Sequence, residues 1–93
     1  MTSTTSTALT YRSSPDVVSR HLGSGAVLVH LPSNQIFELN ETGTAIWELL
    51  SQGAAPEQAA NRLVERFDID REAALAEIRS LASQFVESGL LTR

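Results

Sequence analysis

An α+β fold, a three-stranded antiparallel sheet followed by three α-helices, is what the sequence predicts. Three observations carry this. From Val17 to Leu39, apolar and β-branched residues fall in short runs separated by turn residues. After Asn40, apolar residues recur every third or fourth position. Caps and breaks stand at Asn40, Gly53, Pro56, Asp70 and Gly89, where three helices need them.

Taken in order, residues 1–14 are mostly Ser and Thr without periodicity, and a disordered tail is expected there, ahead of a domain spanning 15–93. Val17 to Leu22 mixes β-branched and polar residues and reads as a first strand. Gly23-Ser24-Gly25 follows as a turn, its glycines tolerating positive φ. Ala26 to Leu31 is a nearly continuous apolar run, broken by His30, and reads as a second strand. After a turn at Pro32-Ser33-Asn34 comes a third strand, Gln35 to Leu39. Alternation puts Phe37 and Leu39 on one face of it and Ile36 and Glu38 on the other.

Asn40 suits the N-cap of a first helix, Glu41 to Gln52, whose stripe is Ala45, Ile46, Leu49 and Leu50 with Trp47. Gly53 sits where a helix-ending glycine belongs. Pro56 opens a second helix, in which Ala59, Ala60, Leu63, Val64 and Phe67 recur at helical spacing. Asp70 caps a third, lined by Ala74, Leu75, Ile78, Leu81, Ala82, Phe85 and Val86 until Gly89 ends it.

At 93 residues and 42% hydrophobic composition, the chain supports one core and leaves little for an enclosed substrate cavity. That favours binding at a surface. With no cysteine, disulfides, thiol chemistry and Cys-ligated zinc are excluded. The N-terminus lacks the parts of a signal peptide, and nowhere do about 18 apolar residues run together. A soluble, cytoplasmic protein is expected. The net charge of −4 works against nucleic acid and anionic membrane as partners.

The stretch from Ile36 to Leu50, a strand ending in Leu39-Asn40 and then a helix carrying Ala45 and Ile46-Trp47, resembles the signature of the PqqD-like family. The Gly53-to-Pro56 break, Arg66-Phe67, the Asp-initiated third helix and the closing Glu87-Ser88-Gly89-Leu90-Leu91 agree with it. The similarity covers roughly Asp16 to Leu91. It implies a winged-helix-turn-helix-like fold and a RiPP recognition element, which holds the leader segment of a ribosomally made precursor peptide. Such a domain is a non-catalytic adaptor without a cofactor, presenting the leader to a modifying enzyme such as a radical SAM protein, cyclase or leader protease. Family members serve PQQ biosynthesis, lasso peptides and other modified peptides. The leader is expected to add as a strand beside the third strand, against the third helix.

The residues support that mode independently. A strand at the edge of a meander offers unpaired N–H and C=O groups, and a peptide can complete the ladder. Here Gln35, Ile36, Phe37, Glu38 and Leu39 would supply the backbone, with Ala74, Ile78 and Leu81 as an apolar wall. Ile36 joins them if its face of the sheet is not the core. Exposed edges also make an edge-strand or swapped dimer an alternative to a monomer.

Other features have plainer readings. Trp47 fits the core better than a ligand platform. His21 and His30 would face each other across the first hairpin, yet without a third ligand they make a poor metal site, and no metal is expected. Asp68, Asp70 and Glu72 lack the glycine and distal glutamate of a calcium loop, and capping explains them better. No residue stands in a recognisable catalytic setting. Two alternative functions remain: a DNA-binding winged helix, or a protein-docking regulatory subunit without leader binding. Against the first, the third helix sets Arg71 and Arg79 against Glu72, Glu77 and Glu87.

Overall fold

A computed structural model describes residues 10–93. The elements in order are β1 (Arg12–Ser13), β2 (Val17–Leu22), β3 (Gly25–His30), β4 (Gln35–Leu39), α1 (Glu41–Ser51), α2 (Pro56–Arg66), α3 (Arg71–Glu87) and β5 (Leu91–Thr92). The expected three strands and three helices are all present, the second strand beginning and ending one residue early. The sheet order is β2-β3-β4, antiparallel throughout, and β1 pairs with β5 in a separate two-stranded ladder.

Turn chemistry sets the register. Leu22 pairs with Gly25, leaving Gly23-Ser24 as a two-residue loop in which Gly23 takes φ 63. Gly25 is needed for a different reason. It lies in the strand, and a Cβ there would run into the Leu39 carbonyl oxygen. The next connection turns through Asn34 at φ 61, whose N–H donates to the His30 carbonyl at 2.8 Å.

Pairing aligns Leu28 with Phe37 and Val29 with Ile36, so alternation decides which residues meet the helices. Ala26 and Leu28 are buried and Phe37 and Leu39 half-buried against the core, whereas Ile36 and Glu38 are exposed. The expected split of the third strand holds.

The helix ends follow local chemistry. Asn40 Oδ1 accepts from Gly43 N–H at 2.8 Å, and Asp70 Oδ1 from Ala73 N–H at 2.9 Å. Before α2, Gln58 Oε1 accepts from Ala55 N–H at 3.0 Å. Both α1 and α3 end in Schellman motifs. Ala54 N–H reaches Leu49 O and Gly53 N–H reaches Leu50 O; Leu90 N–H reaches Phe85 O and Gly89 N–H reaches Val86 O.

Leu28, Ile46, Leu50, Leu63, Ile78, Leu90 and Leu91 form the centre of the core. Trp47 of α1 meets Phe85 of α3 edge to face, ring centroids 5.3 Å apart, which bears out its core reading. The expected tail needs correction at its end. Tyr11 is buried, and Arg12–Ser13 pairs with Leu91–Thr92. The aromatic ring joins this segment to the core, and the ladder binds it to the far end of the chain. The rest of that expectation, residues 1–9, lies outside the described residues.

Gly25→Ala forces β3 and β4 apart and should lower the unfolding free energy by about 1–3 kcal/mol. Gly89→Ala combines a φ of 78 with a Cβ placed 2.9 Å from His30 Nε2 and should also destabilise. Urea titrations followed by far-UV circular dichroism check both, as a lower midpoint at unchanged slope.

Candidate functional site

Because β4 is a terminal strand of its sheet, one side of it has no partner. In an antiparallel ladder alternate residues turn their N–H and C=O towards a given neighbour, so β4 directs the other set outward. Beside that edge the C-terminal half of α3 stands off from the sheet. Between them lies a groove of about 350 Å³.

One wall is β4 from Ile36 to Leu39, and the other is Leu81, Gln84, Phe85 and Ser88 of α3, with Leu90 at the end. The α3 positions follow 3–4 spacing, so they form one stripe along the helix. Ile36, 67% exposed, stands at the rim as an aliphatic side chain without cover. Phe85 is 3% exposed and belongs to both the groove wall and the core.

Of the expected site residues, Ile36, Phe37, Glu38, Leu39 and Leu81 come together here, and Gln35 lies exposed at the start of the strand. Ala74 and Ile78 do not join them. Both have 0% exposure and sit in the core on a stripe continued by Ala82 and Phe85. The expectation that they form the groove wall is therefore corrected: they are buried in the core, holding α3 to it. Gln84, Phe85, Ser88 and Leu90 were missed. Extending the spacing of Leu81 towards the C-terminus would have found the first three.

The remaining candidates are accounted for by local contacts. Register pairs His21 with Ala26 and His30 with Val17, so the histidines do not face each other. His21 Nε2 lies 2.5 Å from Glu48 Oε2 on α1, and His30 Nδ1 lies 2.6 Å from Ser33 Oγ. Among the described residues, no three His, Cys, Asp or Glu side chains gather as a metal site. Nor does any helix have the length and apolarity to cross a membrane.

The α3 arginines are turned to α2: Arg71 Nε donates to Asn61 Oδ1 at 3.0 Å and Arg79 to Glu57 Oε2 at 3.3 Å. A recognition helix needs such groups free for phosphates and bases. A larger cavity of about 630 Å³ lies between the end of α1 and α2, but Gln52, Gln58, Asn61, Arg62 and Glu65 give it a polar lining. It offers few apolar anchors and does not meet the free strand edge.

Comparison with known proteins identifies the fold and the family. The family model described as coenzyme PQQ synthesis protein D (PqqD) matches residues 25–91. TbiB1, solved in complex with the TbiA(beta) leader peptide, is 30% identical with a TM-score of 0.79, over 86% of this chain and 93% of that one. A lasso peptide synthetase B1, solved with its leader peptide, is 25% identical with a TM-score of 0.81, over 91% of this chain and all of the other. Comparison with curated proteins gave no match. With the family model spanning most of the fold and a solved relative at this identity, the chain belongs to the PqqD family.

Proposed function

We propose that this protein is a non-catalytic adaptor, cytoplasmic and without a cofactor, that binds the leader segment of a ribosomally made precursor peptide. The leader adds as a strand to the free edge of β4 and lays side chains into the groove against α3. The observation that carries this reading is the coincidence of an unpaired strand edge with an apolar groove beside it. Two similar structures that hold leader peptides support it, and one of them, a lasso peptide synthetase B1, favours lasso-type precursors as clients.

The energetics assign different tasks to edge and groove. Ladder bonds exchanged with water are worth about 0.5–1.5 kcal/mol each. Association and ordering cost about 4–15 kcal/mol, so the ladder alone holds a peptide weakly. An apolar side chain buried in the groove adds about 1.5–3 kcal/mol. Two or three such side chains packed against Phe37, Leu39, Leu81 and Phe85 close the gap. The edge fixes register, and the groove supplies affinity.

The bound leader is then presented to a modifying enzyme, a radical SAM protein, cyclase or leader protease. A monomer presents it best, since an edge-strand dimer through β4 would occupy the leader's place.

Titrating the isotope-labelled domain with synthetic leaders from precursor genes beside its own tests the mode. Amide shifts should concentrate on Gln35 to Leu39 and on Leu81 to Ser88. Shifts confined to the α1–α2 cavity would overturn it. Leu81→Asp should weaken binding about tenfold or more with the domain still folded by circular dichroism. Ile78→Asp, by contrast, puts a charge into the core and should abolish the cooperative unfolding transition.

A further inference from the structure

The face of β4 turned away from the helices carries information that the groove does not. On this face the register aligns Val18, Val29 and Ile36 in one row, and Arg20, Val27 and Glu38 in the next. Val18 and Ile36 are 47% and 67% exposed, so the first row is an uncovered aliphatic strip ending at the free edge. The second row ends there in a carboxylate. Among the described residues, Glu38 forms no ion pair within 4.0 Å. Arg20 stands two strands away, roughly 10 Å across the sheet. Glu38 is also the one charged residue of β4.

A strand added to β4 places one residue directly opposite Glu38, with Cβ atoms about 5 Å apart and both side chains on the outer face. Two positions along, its next outer residue lies opposite Ile36. The geometry follows from alternation and is the same for a parallel or antiparallel leader, save that the order of the two reverses. We infer that β4 selects its partner strand by charge as well as by apolar fit. The leader carries Lys or Arg opposite Glu38 and an aliphatic or aromatic residue two positions away opposite Ile36. An acidic residue opposite Glu38 is rejected by like-charge repulsion across the pair.

This inference rests on strand addition at β4, and its test separates the two. A displayed library of random 12-residue peptides is selected in parallel on the full chain and on its Glu38→Lys and Glu38→Gln variants. Winners are checked by amide shifts at Gln35 to Leu39. Peptides enriched on the unaltered chain should carry a basic residue two positions from an apolar one. Those enriched on Glu38→Lys should carry Asp or Glu at that place, and those on Glu38→Gln neither. Exchanging peptides between the unaltered chain and Glu38→Lys should weaken binding roughly five- to tenfold at low salt, less at high salt. If winners shift β4 but show the same charge on all three proteins, charge selection is wrong and strand addition stands. If no winner shifts β4, both fall.

Discussion

The contact of Phe85 with Trp47 ties the groove to the core. Phe85 packs nearly perpendicular to the Trp47 ring on one side and lines the space beside β4 on the other. Its position is fixed twice more. Phe85 O accepts from Leu90 N–H in the turn that ends α3, and Leu90 and Leu91 are buried immediately afterwards. Leu91 then enters the ladder with Ser13, which brings Tyr11 into the same core. The height of α3 above the sheet, and hence the width of the groove, is set by packing that involves both ends of the described chain.

How far the site can be read from sequence depends on whether each feature is local. Asn40, Gly53, Asp70 and Gly89 act on backbone groups within a few residues of themselves, so their roles are visible without the fold. The switch from alternation to helical spacing is equally local and marks where strands give way to helices. The edge strand and the faces of β4 follow from these. The Arg12–Ser13 pairing, and with it the burial of Tyr11, is different, because the ladder's partners lie some 80 residues away and a two-residue ladder leaves no pattern. The groove wall fails for a third reason. Ala74, Ile78 and Ala82 share one stripe of α3, while Leu81, Gln84 and Ser88 lie roughly a quarter turn round it. Periodicity says that an apolar stripe is wide; it does not say which flank meets the core and which meets the gap beside β4.

An open strand edge bordered by an exposed isoleucine is a hazard for a free protein, since any similar strand can join it. Glu38 mitigates this. Its carboxylate stands at the end of a row on the outer face, where a neighbouring strand must place a side chain close by. On the charge selection proposed above, an edge that rejects strands with an acidic residue opposite Glu38 resists some unwanted pairings and chooses a ligand through the same group. The opposite edge, β2, carries Arg20 in the corresponding row and His21 bound to Glu48 of α1, so both edges hold charged or polar groups.

On the proposed reading, the size of the domain explains why binding would take place at an edge. In a chain of 93 residues most large apolar side chains are committed to one core, and hollowing out an enclosed pocket would remove contacts on which a small fold depends. Strand addition avoids this loss. The peptide brings its own backbone and its own apolar side chains, so the complex gains a fourth strand and a second layer of burial without a cavity in the free state. A ligand that binds only the folded form also stabilises it in proportion to the logarithm of its concentration over Kd. On the proposed reading, the leader of a marginal domain would be both cargo and part of the structure, and the adaptor would be most rigid while presenting its peptide.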